Sequence, residues 1–239
     1  MELFFELTTW LHIGAGVTAL LVAPVATITQ KGGRSHRRWG KVYFWAMATI
    51  FGTALTMLVR RPSIFLLAVS VFSFYNALAG YRVLRRKRAE TEASQLLDRA
   101  ASAITLGAGI ILMGWGGTLL LSANGSTPFA GLGVVFGVLI SQLGLEDLRA
   151  LRPPSEDRNA WWYTHMARML SSYIGVTTAF LVQTAAPRLV ATGMPVGWVW
   201  IVWVAPAMMG VPAANIWINA YKKRFAARRG PTVALAAEV

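Results

Sequence analysis

The chain contains three histidines, His12, His36 and His165, and no cysteine. Missing cysteine excludes disulfides and thiolate-bound metal but leaves histidine ligation open. His36 sits in the basic run KGGRSHRRWGK at residues 31–41, beside Arg34, Arg37 and Arg38. His165 shares a helical stripe with Trp161, Arg168, Ser172 and Gly175 at i+3/i+4 spacing. Imidazole and guanidinium on one face suit a phosphate, a carboxylate or a lipid headgroup. The plainer role for Arg34, Arg37, Arg38 and Arg168 is anchoring to anionic lipid.

Those residues are positioned by long apolar stretches at 5–28, 42–59, 63–81, 102–122, 127–145, 167–187 and 197–219. Each approaches the roughly 20 residues that cross about 30 Å of hydrocarbon. The pair 42–59 and 63–81 is divided only by Arg60-Arg61-Pro62; two arginines do not belong at mid-membrane, so a tight hairpin is expected there. Of the 23 Lys and Arg residues, only Arg60, Arg61 and Arg188 fall in the gaps on the side opposite the basic loops. The positive-inside rule then predicts an all-α, seven-helix membrane bundle with its N-terminus outside and its C-terminus cytoplasmic. Residues 1–221 form the bundle and 222–239 a basic cytoplasmic tail.

The formal net charge of +13 follows this topology, so anionic lipid at the cytoplasmic face is the expected partner and nucleic acid is not. Nothing in the chain specifies a protein partner. The first apolar stretch follows Glu2 rather than a basic run and is longer than a signal core, so it reads as a membrane helix. A retinal-type lysine is absent from 197–219, and the three aspartates, Asp98, Asp147 and Asp157, read as residues of cytoplasmic gaps. That leaves no mid-membrane carboxylate of the kind proton-coupled transporters use.

His12 is the one group titrating near neutrality that lies well inside a span, on a face with Thr8, Thr9, Ala15, Gly16, Ala19 and Ala23. It is either a buried polar site or a neutral histidine bonded to a neighbouring helix. The helix from His12 to Ile28 is roughly 24 Å long, which separates His12 from His36 and His165. Those two share a membrane level, so one iron or zinc ion, or one bis-histidine b-type haem, is geometrically open to them. Gly133, Gly137 and Ser141 at i+4 spacing predict close helix packing, and Pro206 and Pro212 predict a loosened last helix. Trp161, Trp162 and Tyr163, and on the outer side Trp198, Trp200 and Trp203, suit the membrane–water interface; residues 90–98 suit a short interfacial helix.

The motifs Leu11-His12-Ile13 with Gly16, Lys31-Gly32-Gly33 with His36-Arg37 and Gly40, and Tyr43-Phe44-Trp45-Ala46-Met47 are similar to those of one family. So are Phe72-Ser73-Phe74-Tyr75, Gly80-Tyr81-Arg82-Val83-Leu84, and His165 with Arg168-Met169 and Thr178-Ala179-Phe180-Leu181-Val182. Through them the chain resembles a family of bacterial multi-pass membrane proteins known as domain of unknown function 2306. The resemblance implies a helix bundle in the bacterial cytoplasmic (inner) membrane with all three histidines at motif positions, and it implies no activity. A looser likeness is to membrane cytochromes of the b561 type, which usually hold two haems with four histidines. Three functions follow as expectations: a cytoplasmic-face site of His36, His165 and Arg168, with Arg34, Arg37 and Arg38 attracting an anionic or headgroup-bearing ligand; a redox protein with one haem b on His36 and His165; and a non-catalytic assembly or scaffold protein.

Overall fold

The computed structural model describes residues 1–60, 63–85, 92–122, 128–150, 157 and 159–228. Among them are seven long helices: α1 (Glu2–Ile28), α2 (Arg34–Arg60), α3 (Ile64–Arg82), α4 (Glu92–Leu121), α5 (Pro128–Ala150), α6 (Ala160–Ala191) and α7 (Trp200–Arg228). A 3-10 turn at Val196–Trp198 precedes α7. No strand occurs among the described residues. Among the described residues six helical stretches are long and apolar enough to cross a membrane, and α3 is not one of them. Many large apolar side chains stand exposed, among them Ile104, Ile111, Leu121, Met208 and Met209. Such a surface suits lipid, which accepts apolar side chains that water would not.

The expected hairpin is present as α2 and α3, with Phe44 stacked on Tyr81 and Phe51 on Phe74, so the two helices run antiparallel. Arg61 and Pro62 lie outside the described residues. Ser63 starts α3 by accepting a hydrogen bond from the Leu66 amide at 3.3 Å, an N-cap that satisfies an orphan donor. Between α1 and α2 the chain turns within a few residues because Gly32 adopts φ 76°, a conformation glycine takes without steric cost. The main core joins Ala19 and Val22 of α1, Tyr43 and Met47 of α2, Ala77 of α3 and Val176 of α6.

Several boundaries differ from the sequence expectation. Residues 92–98 are the first turns of α4 rather than a separate interfacial helix. Helix α6 begins at Ala160, ahead of the apolar run, because the aromatic residues at its start pack on α7: Trp162 against Tyr221 and Phe225, Tyr163 against Phe225. That packing also carries α7 past residue 221, so 222–228 continue the helix. Residues 229–239 are outside the described set. Both Pro206 and Pro212 lie within α7 without ending it. Trp198 and Trp200 are exposed, but Trp203 is 6% exposed and packs with Val69, Phe136 and Ala179, so it belongs to the core and not to an outer belt.

Helices α4 and α5 make the tightest contact, at the Gly133, Gly137 and Ser141 stripe the spacing singled out and at Gly109, Gly116 and Gly144 beside it. A Cβ on Gly137 would stand 2.5 Å from the Met113 backbone nitrogen, and one on Gly109 would stand 2.4 Å from the Ser141 nitrogen. Gly116 and Gly144 meet backbone at 2.7 and 2.6 Å in the same way. Small residues let the two backbones touch, which is how helices associate where solvent gives no hydrophobic drive. Gly137→Ala should therefore force the pair apart and cost about 1–3 kcal/mol. Gly114→Ala, whose Cβ meets nothing within 4 Å, should be neutral or slightly stabilising. Thermal unfolding of the two variants in one detergent checks this; equal melting temperatures would remove the zipper.

Candidate functional site

Residues of α1, α2, α6 and α7, with the segment that follows α3, line an open cavity of about 790 Å³. Its histidines are placed by helix termini. The last carbonyls of a helix have no intrahelical partner. His36, in the first turn of α2, donates from Nδ1 to the Ala26 carbonyl near the end of α1 at 2.8 Å. His165, early in α6, donates from Nδ1 to the Gly80 carbonyl near the end of α3 at 2.7 Å. A carbonyl only accepts, so both rings carry their proton on Nδ1, and Nε2 is the acceptor of the neutral ring. Neither Nε2 has a hydrogen-bond partner among the described residues. The two rings lie 6.2 Å apart, centroid to centroid, at an interplanar angle of 79°.

The charge around them is uniformly positive. Lys31, Arg37 and Arg85 line the cavity with the histidines, and no carboxylate does among the described residues. The N-termini of α2 and α6 open at the same place as the C-termini of α1 and α3, so the helix dipoles offset and the positive charge comes from side chains. Lys31 donates to the Thr27 carbonyl and lies 4.8 Å above the Trp217 ring. Its partial burial lowers its pKa from the ordinary lysine value. The rest of the wall is aromatic and apolar: Trp161, Trp162, Met166, Met169, Tyr173 and Trp217.

Of the residues the sequence singled out, His36, His165 and Arg37 meet at this cavity. Arg34 and Arg38 are exposed and do not line it; Arg38 lies over the neighbouring Trp39 ring. Arg168 does not line it either, although the stripe grouped it with His165. The reason is a competing partner on α5: Arg168 Nη2 binds Asp147 at 2.9 Å and Glu146 at 3.5 Å. Of the other stripe residues Trp161 stays with His165 at the cavity, whereas Ser172 bonds Tyr43 at 2.8 Å and Gly175 packs on Ser73. His12 is half-buried and donates from Nδ1 to Thr53 Oγ1 at 2.8 Å; Thr53 donates onward to the Thr49 carbonyl. That bond joins α1 to α2.

Asp98 and Asp147 depart furthest from expectation. They are 4% and 5% exposed within α4 and α5, not residues of open gaps. Asp98 pairs with Arg82 of α3, and Asp147 pairs with Arg168 of α6 while accepting the Tyr75 hydroxyl at 2.6 Å. Tyr75 also meets Ser102 at 3.0 Å, and Ser102 donates to the Asp98 carbonyl. Sequence reasoning missed this network, and it missed Arg85, Tyr173 and Trp217 in the cavity wall. For the network a signal existed: Arg82 and Arg168 are matched by two aspartates at helix ends. For Trp217 none did. No group of three or more potential metal-ligating side chains (His, Cys, Asp or Glu) occurs among the described residues. Comparison with models of protein families, with curated proteins and with solved structures yields no match to the chain.

Removing one member of a buried ion pair strands the other charge, a loss of about 3–5 kcal/mol. Asp147→Ala should therefore destabilise the bundle far more than Tyr75→Phe, which deletes one hydroxyl worth about 1–3 kcal/mol. Denaturation of both variants in matched micelles measures the ordering. An Asp147→Ala protein as stable as the parent would show that the pair carries no structural weight.

Proposed function

We propose that the chain is a seven-span protein of the bacterial cytoplasmic membrane that binds an anionic ligand in its cytoplasmic-face cavity through His36, His165, Lys31, Arg37 and Arg85. The observation that carries this reading is the cavity's one-signed lining, with two unpartnered Nε2 atoms among three cationic side chains. An imidazole held on a carbonyl through Nδ1 presents its second nitrogen in a fixed direction, as an acceptor for the hydroxyl of a protonated phosphate or carboxyl group. The orientation and the count of seven rest on the basic gaps, with only Arg60, Arg61 and Arg188 on the other side. Arg34 and Arg38 then attract anions to the approach, and Arg168 supports the wall from behind.

A redox reading draws on the spacing of the two rings. His36 and His165, 6.2 Å apart between ring centroids, would be the residues to hold one metal ion or haem b, which would supply one-electron chemistry. Backbone carbonyls at Nδ1, as both rings have here, are common outer partners of ligating histidines. Lys31, Arg37 and Arg85 would then face the acidic groups of a haem b.

Inorganic phosphate separates these readings. At millimolar concentration and constant ionic strength it should raise the melting temperature of the purified protein by a few degrees, where chloride does not. Arg37→Gln combined with Arg85→Gln, both exposed and clear of the core, should abolish at least three quarters of that gain. An unchanged response in the double variant would overturn the anion site. An absorption spectrum of the same sample with a Soret band that shifts on dithionite reduction, and is lost in His36→Ala, would establish the haem reading instead.

A further inference from the structure

The cavity is graded along its length. Its lining on α6 runs from Trp161 to Tyr173, about 18 Å of helix at 1.5 Å per residue. All its charged groups and both histidines lie toward the end where α1 and α3 stop and α2 and α6 begin. The inner part is lined by Ala23, Met169, Leu170 and the rings of Tyr43 and Tyr173. Those tyrosines offer little polarity to a guest, since the Tyr43 hydroxyl is taken by Ser172 at 2.8 Å and that of Tyr173 points to the Leu20 carbonyl at 3.5 Å. One end thus suits an anion and the other an alkyl chain.

Among the described residues the wall also has a weakly packed seam. Helix α1 packs on α2 and α6, and α7 packs on α6, but α1 and α7 share no extended interface although both line the cavity. At the polar end the seam is spanned by Lys31 lying over Trp217. A solute from the aqueous phase would have no use for an apolar inner chamber or a side opening; a membrane amphiphile would use both.

From this we infer that the cavity's ligand is a membrane-borne amphiphile with a phosphate headgroup, which enters between α1 and α7, seats its phosphate among His36, His165, Arg37 and Arg85, and lays its chain against Met169, Leu170 and Tyr173. The inference rests on the anion-site reading and adds to it the chain, the source and the route.

The test uses the full-length protein in neutral micelles, titrated with dioleoyl phosphatidic acid, dioleoyl phosphatidylcholine and inorganic phosphate, binding being read by native mass spectrometry and by melting temperature. Phosphatidic acid should bind at least tenfold more tightly than inorganic phosphate, and phosphatidylcholine should fall below both. Arg37→Gln with Arg85→Gln should weaken phosphatidic acid at least tenfold. A phosphatidic acid carrying a diazirine in its chain should crosslink to Met169, Leu170 or Trp217. Equal binding of phosphatidic acid and inorganic phosphate would overturn the amphiphile while leaving the anion site standing. Equal binding of phosphatidylcholine, or no binding by any of the three, would overturn both. Crosslinks confined to outward residues such as Ile104 and Ile111 would place the lipid on the outer surface and reject the cavity route.

Discussion

Four charges lie where helices α3, α4, α5 and α6 converge, and the bundle is organised around their neutralisation. Arg168 and Asp147 are 6% and 5% exposed, and Asp98, at 4%, holds Arg82. A buried ion has no water to fall back on, so each must face its partner with the remaining oxygens and protons occupied. Tyr75 occupies an Asp147 oxygen and meets Ser102, which bonds the Asp98 backbone carbonyl, while Arg168 Nη1 stays buried without a partner among the described residues. The geometry leaves little freedom to the rotation of α6, because Arg168 must reach α5. Once Arg168 points that way, His165 one turn earlier is turned toward the Gly80 carbonyl and the cavity.

Helices α3 and α6 are thus a shared wall with a charged network on one side and the histidine cavity on the other. Gly80 makes that wall thin. A Cβ there would approach Arg168 Cβ at 3.1 Å and Met169 Sδ at 3.0 Å, while the carbonyl of the same residue holds His165. The imidazoles themselves serve two purposes. Each bonds a carbonyl near a helix end, that of Ala26 being shared with Thr29 Oγ1, and so leaves its other nitrogen without a partner among the described residues.

Much of the architecture was legible because lipid imposes a strong pattern on sequence. The apolar runs located the helices, the small-residue spacing in α5 located the α4 contact, and the basic gaps located the charged end. Helix ends were less legible where tertiary packing carries polar or aromatic residues into the helix, as Trp162 and Tyr163 do against α7. The buried pairs were misplaced for a related reason. Asp98 and Asp147 look solvated when read locally, and their partners lie 16 and 21 residues away on other helices. The stripe on α6 gave the correct periodicity and the wrong company, since neighbouring residues of one helical face met three different helices. His36 and His165 were readable as a pair because both sit beside basic gaps on one side of the apolar runs.

The glycine contact between α4 and α5 has a bearing on how the chain is assembled. Those two helices are adjacent in sequence, are matched to each other at backbone distance, and contribute nothing to the cavity lining. They can complete their mutual fit as soon as both have left the ribosome, while α6 and α7 are still being made. Asp98 already meets Arg82 of α3, whereas Asp147 waits for Arg168, so arrival of the sixth helix is what completes the attachment of a prefabricated hairpin. Biogenesis of this bundle would accordingly stall late rather than early, and a chain truncated before α6 would present the membrane quality-control machinery with an exposed carboxylate as the mark of incompleteness.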